Sequence, residues 1–192
     1  MLFRSLLLSA SEIEFANDFY RHHGLSRFKV LVGLNTGASN RWQLKQWRDE
    51  GFIELIQKLK FHDDIGILLY GGKDERQKNH DLKNRFPNVI DTGCDNTLRQ
   101  FFALMNLSDI VITGDTMALH VATALKKKVV CYFGPTSAHE IEDYGRIIKI
   151  QPLMDCLVCY KQQCDFNPNC MQLISSDMIY KAVLQQKGDL GK

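Results

Sequence analysis

The sequence shows no strong excess of charge of either sign. Its 192 residues include 24 Lys and Arg and 22 Asp and Glu, which give a formal net charge of +2 at pH 7. The basic residues are scattered along the chain, so the charge pattern argues against a nucleic-acid surface and against a polybasic membrane anchor. Local basic pockets remain compatible with this balance.

Long hydrophobic runs are also missing. The early run Leu6–Leu8 ends at Ser9, which makes it too short for a signal peptide, and no other run approaches the ~20 apolar residues that a membrane-spanning helix needs. We therefore expect a cytoplasmic protein. In that compartment its six cysteines would stay largely reduced.

The sequence further lacks two catalytic signatures. It has neither the Gly-x-Ser-x-Gly turn that presents a nucleophilic serine nor a Walker phosphate-binding loop, and no cysteine has the sequence context of an activated nucleophile. What is present is an ordinary globular composition, with 45% hydrophobic and 24% charged residues. This composition excludes disordered and collagen-like classes.

Short apolar runs rich in β-branched residues alternate with amphipathic segments. The runs predict strands at 28–34, 65–70, 89–90, 110–113 and 129–133, and the segments predict helices at 11–23, 47–60, 74–85, 98–107 and 116–126. The first helix would open with a capping box over Ser11–Glu14. Such alternation is typical of an α/β fold with a parallel sheet covered by helices on both faces. We divide the chain into a lead-in helix at 1–27 that packs on a single domain at 28–192.

Three polar loops follow predicted strands of this sheet: Asn35–Arg41, Gly71–Glu75 and Gly114–His120. In open parallel sheets, ligands bind beyond the carboxyl ends of the strands. We therefore expect these loops to share one edge and to form one binding site.

The loop Gly114–His120 opens a helix directly after a strand. The first amides of a helix have no partner within it and lie at the positive end of its dipole, so a phosphate can bind there. Thr116 would add a hydroxyl and His120 lies one turn further on. Asp115 would repel a phosphate, so we expect it to cap the helix, align a neighbouring cation or accept from a sugar hydroxyl. The alternative is a plain N-cap beside a surface histidine.

The other two loops offer complementary groups. Small residues over Thr36–Ser39 let backbone amides approach a ligand, and Arg41 provides donors that suit phosphate oxygens, unless it is simply a surface charge. Glu75 follows Gly71-Gly72 and suits the hydroxyls of a ribose, or else it only favours the first turn of its helix.

Four of the six cysteines are clustered within residues 156–170: Cys156, Cys159, Cys164 and Cys170. Clustered thiolates in a reducing compartment suggest a structural zinc site. An iron–sulfur cluster and a metal-free loop are the alternatives.

Taken together, the motifs resemble the carboxyl-terminal half of the ADP-heptose:lipopolysaccharide heptosyltransferases, glycosyltransferase family nine. The resemblance covers roughly residues 28–184, including the cysteine loop and a terminal helix, and rests on four motifs, which are Asn35–Trp42, Leu69–Gly72 with Glu75, Thr113–Ala122 and Phe133–Thr136. It implies the Rossmann-like, nucleotide-sugar-binding domain of a GT-B enzyme.

The resemblance also implies roles for individual residues. Thr36 would contact phosphate and Glu75 the ribose. Asp115, Thr116 and His120 would contact the diphosphate and the donor sugar. The first helix amides, at Met117 and Ala118, would belong to the same site.

Two residues depart from the family pattern. Many members have glycine at the position of Met117, whose side chain would narrow the pocket. The lysine that commonly lies two residues before the tryptophan is Asn40 here, so either Asn40 borders the ligand without a charge or Arg41 takes over charge stabilisation.

The implied reaction is cofactor-independent transfer of heptose from ADP-heptose to a lipopolysaccharide core sugar, at the cytoplasmic face of the inner membrane and with at most peripheral membrane contact. Family members carry the acceptor-binding half and the expected catalytic base in an amino-terminal domain, which we do not find in this chain. We expect the chain alone to bind donor and to transfer sugar poorly. A non-catalytic nucleotide-sugar-binding module and a GT-B enzyme that uses a UDP-sugar are the alternatives.

Overall fold

The computed structural model of the chain describes residues 6–38 and 40–190, except the side chains of residues 40 and 41. It contains one six-stranded sheet in which every neighbouring pair of strands is parallel. In chain order, the strands are β1 Val30–Asn35, β2 Ile65–Tyr70, β3 Ile90–Asp91, β4 Ile110–Gly114, β5 Lys128–Tyr132 and β6 Ile147–Ile150.

The spatial order of the strands is β3-β2-β1-β4-β5-β6. The chain first adds strands on one side of β1 and then returns to add β4 on the other side. The order therefore reverses between β1 and β4, and a crevice opens there beyond the carboxyl ends of the strands, as in Rossmann-type folds. The predicted α/β fold with a Rossmann-like parallel sheet is confirmed.

Seven α-helices cover the sheet in the described residues. They are α1 Ala10–His22, α2 Asp49–Leu59, α3 Arg76–Arg85, α4 Leu98–Met105, α5 Met117–Ala124, α6 Cys170–Leu173 and α7 Ser176–Gly188. Short 3-10 helices include Asn40–Lys45 before α2 and Lys73–Glu75 before α3. Within the described part of the chain, no helix combines the length and the apolar character that membrane crossing requires.

Side chains alternate between the two faces along each strand, as the pleat of a β-strand requires. On β1, Val30 and Val32 join the hydrophobic cluster under α2 and α7, whereas Leu31 joins the cluster under α4 and α5. Because both faces are buried, the strands are apolar at nearly every position. This burial holds the carboxyl edge of the sheet in a fixed frame for the loops.

Two local predictions need correction, and one strand was missed. The strand β6 was not predicted, because Ile147–Ile150 is a half-buried edge strand interrupted by Lys149. The capping box of α1 joins Ser9 and Glu12 rather than beginning at Ser11, since the Ser9 hydroxyl accepts from the Glu12 amide and the Glu12 carboxylate accepts from the Ser9 amide. The first strand begins at Val30 instead of Phe28.

Candidate functional site

The three predicted loops meet in one cavity at the carboxyl edge of the sheet. Its volume is about 610 Å³, within the usual range of small-ligand sites. The loops after β1, β2 and β4 all contribute to its wall, and the segment between β3 and α4 adds a fourth side. The cavity therefore lies at the point where the strand order reverses.

The start of α5 forms one wall of this cavity. Thr116 is the N-cap of α5, and its hydroxyl accepts a hydrogen bond from the Ala118 amide at 3.2 Å. The side-chain nitrogen of Asn35, Nδ2, lies 3.4 Å from the same Thr116 hydroxyl and 3.2 Å from the hydroxyl of Thr113. Asn35 thus joins the end of β1 to the loop that begins α5, and this fixes the positive end of the helix at the cavity.

Asp115 does not cap the helix, because Thr116 does so. Its carboxylate pairs with Lys45, whose Nζ lies 2.8 Å from Oδ2 and also donates to the Asp115 carbonyl at 3.2 Å. The ammonium lies 5.5 Å from the ring centroid of Trp42, which also lines the cavity. Of the three tasks expected for Asp115, alignment of a neighbouring cation is the one that the structure displays.

Glu75 lies on the opposite side of the strand-order reversal, after β2. Its Oε2 accepts from the Gly72 amide at 2.8 Å, so the carboxylate organises its own turn while it lines the cavity. Gly37 leaves the space that this side chain occupies, since a Cβ at Gly37 would lie 2.3 Å from Glu75 Cδ. The absence of a side chain at residue 37 therefore leaves the Glu75 carboxylate in its place beside the loop after β1.

The sequence and the fold have counterparts among known proteins. A sequence profile of glycosyltransferase family 9 (heptosyltransferase) matches residues 4–169. The chain belongs to this family.

Several relatives agree with this family 9 assignment. Lipooligosaccharide heptosyltransferase 2 of Campylobacter jejuni is 24% identical over 182 residues, which make up 90% of this chain and 55% of the relative. Among solved structures, a family 9 glycosyl transferase from Veillonella parvula aligns with a TM-score of 0.78 at 21% identity, over 95% of this chain and 53% of its own. ADP-heptose lps heptosyltransferase II of E. coli aligns with a TM-score of 0.74 at 16% identity, over 98% and 54%. The chain thus spans about half the length of the relatives that it matches.

Most residues predicted for the site of this family 9 chain line the cavity. They are Glu75, Asp115, Thr116, Met117, Ala118 and His120. The side chains of Met117 and His120 are exposed, and His120 also borders a neighbouring groove beside the carboxyl end of α5. Their contacts with a ligand stay predictions.

Thr36 is the exception among the predicted residues whose side chains are described. Its hydroxyl donates into the fold, where it lies 2.6 Å from Asn79 Oδ1 and 3.0 Å from the Tyr70 carbonyl, and the residue is 3% exposed. In this structure the Thr36 hydroxyl is therefore engaged within the fold, and the expectation that Thr36 contacts phosphate stays a prediction. The side chains of Asn40 and Arg41 lie outside the described residues, so their predicted roles are not tested.

Several residues that line the cavity were not predicted, among them Asn35, Trp42, Lys45 and Cys94. A polar residue at the end of a buried strand was the available signal for Asn35. Cys94 is partly exposed at the cavity. Burial is the main cause that raises the pKa of its thiol, and the Asp91 carboxylate is the next.

The cysteine loop does not show a zinc site in the described part of the chain. Among residues 6–38 and 40–190, no three His, Cys, Asp or Glu side chains are grouped so that they could hold a metal ion. Cys170 is buried with its sulfur against the backbone of Gly134, whereas Cys159 is exposed. Burial is the main cause that raises the pKa of the Cys170 thiol, and the neighbouring Cys164 is the next. The arrangement of Cys156, Cys159, Cys164 and Cys170 in this structure does not fit tetrahedral zinc.

Proposed function

We propose that this chain is the donor-binding half of a heptosyltransferase that transfers heptose from ADP-heptose to a lipopolysaccharide core sugar. One observation carries the proposal: loops that are far apart in the sequence form a single cavity where the strand order reverses, in a chain that belongs to glycosyltransferase family 9. The name of the E. coli heptosyltransferase II, which has the same fold, supports ADP-heptose as the donor.

In this proposal the diphosphate binds at the start of α5. The helix dipole and the first amides favour an anion there, and no acidic residue lies in the first turn of α5. The Thr116 hydroxyl accepts from the Ala118 amide and lies 3.1 Å from the Thr113 hydroxyl, and in this proposal it would donate its proton to a phosphate oxygen in place of Thr113. His120, one turn further along α5, would contact the diphosphate or the sugar.

The ribose would bind beside Glu75. One carboxylate oxygen of Glu75 is held by the Gly72 amide, which fixes the orientation of the side chain. We assign the second oxygen, Oε1, to a ribose hydroxyl. A carboxylate that is fixed in this way loses little conformational entropy when the ligand binds.

The acceptor sugar and the catalytic base belong, in our proposal, to the other half of the enzyme. The matched relatives are about twice as long as this chain, since it covers 55% of the C. jejuni protein and 54% of the E. coli protein. Within the cavity, Asp115 is paired with Lys45 and Glu75 organises its own turn, so we assign the base role to neither. The transfer would need no metal ion and would take place at the cytoplasmic face of the inner membrane.

Thermal unfolding with different nucleotides tests the choice of donor. A ligand that binds only the native state raises Tm by mass action, so we expect ADP to raise Tm more than UDP or GDP at the same concentration. A larger shift with UDP would favour an enzyme that uses a UDP-sugar. No shift with any nucleoside diphosphate would contradict the proposed function.

Substitution of His120 tests whether this residue contacts the bound nucleotide sugar. We expect His120→Ala to weaken ADP binding about fivefold in calorimetry, since one hydrogen bond contributes about 1 kcal/mol. His80→Ala is the matched control, because His80 is exposed on α3 and does not line the cavity. Equal ADP affinity in the two variants would remove His120 from the site.

A further inference from the structure

The Lys45–Asp115 pair joins a cation and an anion in the cavity wall. Both side chains are about one-fifth exposed, at 19% and 20%, so each remains in reach of a ligand while water screens the pair only in part. The Lys45 ammonium is held from two further sides, by the Asp115 carbonyl and by the face of Trp42. It is therefore a positioned cation.

The backbone brings this cation to the start of α5. Lys45 ends the 3-10 helix Asn40–Lys45, and its carbonyl oxygen lies where a Cβ at Gly114 would approach within 3.2 Å. Gly114 is the last residue of β4, directly before Asp115 and the N-cap Thr116. The absence of a side chain at Gly114 thus allows the lysine segment to lie against the end of the strand that leads into α5.

Charges of both signs meet at this point. Among the described side chains that line the cavity, the Lys45 ammonium lies beside the carboxylate of Asp115 and the positive end of α5, which is equivalent to roughly half an elementary charge, while the carboxylates of Asp74 and Glu75 line the cavity after β2. A diphosphate at the start of α5 would be attracted by the ammonium and by the end of the helix. Because Asp115 would repel that ligand, its carboxylate acts against diphosphate binding while it holds Lys45 in place.

We propose that Lys45 is the cation that neutralises the nucleoside diphosphate in this cavity, and that Asp115 is its counter-ion before the ligand binds. The assignment rests on the proposed function and adds a residue to it. The ammonium would turn from the carboxylate to the phosphate oxygens by rotation about its side-chain bonds, with no movement of the backbone. Lys45 would thereby supply the positive charge for the phosphates in a chain that has Asn40, two residues before Trp42, at the position of the lysine that is common in the family.

Calorimetric titrations with ADP, AMP and adenosine test this proposal. Removal of a charge-assisted phosphate contact in Lys45→Met should weaken ADP binding about 10- to 100-fold. AMP binding should weaken less and adenosine binding should stay unchanged. Asp115→Asn removes the competing charge and should strengthen ADP binding about fivefold, as expected for loss of one partly screened repulsion.

Matched controls come from a second lysine–aspartate pair outside the cavity. Lys58 Nζ lies 2.9 Å from Asp177 Oδ1, and neither residue lines the cavity. Lys58→Met and Asp177→Asn should leave ADP affinity unchanged. The double variant Lys45→Met/Asp115→Asn leaves no unpaired charge, so it keeps the test valid if Lys45→Met alone unfolds. It should bind ADP more weakly than Asp115→Asn does.

The outcomes separate the two proposals. If the unaltered chain binds ADP and Lys45→Met binds it equally well, Lys45 is not the phosphate cation, whereas the proposed function stands. If Lys45→Met and Asp115→Asn weaken ADP and adenosine binding to the same extent, the pair is only structural and the assignment is wrong. If the unaltered chain binds no nucleoside diphosphate, the proposed function fails and the assignment of Lys45 fails with it.

Discussion

Two lysine–aspartate pairs in this domain have nearly the same geometry and very different surroundings. The Nζ–Oδ distance is 2.8 Å for Lys45–Asp115 and 2.9 Å for Lys58–Asp177. The first pair lines the cavity with both side chains about 20% exposed, whereas Asp177 is 65% exposed at the junction of α2 and α7. Exposed pairs contribute little to stability because water screens them. The comparison shows that the surroundings of an ion pair, more than its distance, determine what the pair can do.

The two regions are connected through Trp47. This residue follows Lys45 by two positions and precedes α2, and its Nε1 donates to the Ile174 carbonyl just before α7. Its ring packs against Phe52 and Tyr132 and is 2% exposed. Trp47 therefore supports both the segment that carries Lys45 and the helices that carry the second pair.

The largest expected effect comes from removal of this shared support. Trp47→Ala would leave a large cavity and an unpaired Ile174 carbonyl, and we expect it to lower the free energy of unfolding by about 3–5 kcal/mol in urea denaturation. Trp47→Phe keeps an aromatic ring but loses the hydrogen bond and part of the packing, so its cost should be smaller, about 1–2 kcal/mol. Similar small losses in both variants would show that the two regions do not depend on Trp47.

A second variant affects the cavity alone. A Cβ at Gly37 would overlap Glu75 Cδ at 2.3 Å, so Gly37→Ala should displace the carboxylate and weaken ADP binding about tenfold, with the fold kept because the displaced group is the end of a flexible side chain. Gly188→Ala is the control, since a Cβ at Gly188, the last residue of α7, would meet nothing within 4 Å and Gly188 does not line the cavity. Equal ADP affinities in calorimetry would contradict the role of Gly37.

A third variant affects the surface pair alone. Asp177→Asn removes the partner of Lys58 at an exposed position, so we expect almost no change in the urea midpoint. Asp177 does not line the cavity. A clear loss of stability would mean that the second pair is stronger than its exposure indicates, and the contrast between the two pairs would weaken.

An effect that is visible only at acidic pH concerns a third pair, which connects α1 to α4. The Glu12 carboxylate accepts hydrogen bonds from Arg99, which have the largest effect, and from the Ser9 amide, and together they lower the pKa of Glu12 from 4.5 to about 2. A lowered pKa in the folded state means that the contribution of Glu12 to stability is present above pH 4.5 and is lost as the pH falls toward 2. Because Glu12→Gln removes this titrating group, we expect its urea midpoint to fall less between about pH 5 and pH 3 than that of the unaltered chain. Identical pH dependence in the two proteins would remove this assignment.

The position of the cavity could be predicted from the sequence because two simple signals coincide there. Buried strands of a parallel sheet are short apolar runs, and the loops that follow them are polar, so the position of Glu75 and Thr116 at one edge follows from hydrophobic patterning and chain direction. Local sequence patterns were therefore sufficient to predict that these two residues lie at that edge.

The features that could not be predicted from the sequence are contacts between residues that are far apart in the chain. Lys45 meets Asp115 across 70 positions only because the 3-10 segment lies against Gly114. The Thr36 hydroxyl turns inward because Asn79 of α3 offers an acceptor there. For the cysteine loop, spacing alone was compatible with a metal, but the burial of Cys170 against Gly134 depends on how the loop packs on the end of β5. None of these contacts leaves a local pattern in the sequence.

The most direct test of the account is a nuclear magnetic resonance titration of the nitrogen-15-labelled chain with ADP. The account predicts that the amide signals of Gly37, Gly72, Met117 and Ala118 shift together with one affinity, while the amides of Lys58 and Asp177 stay in place. Shifts that are absent, or that are confined to residues outside the cavity, would contradict the claim that these loops form a nucleoside diphosphate site.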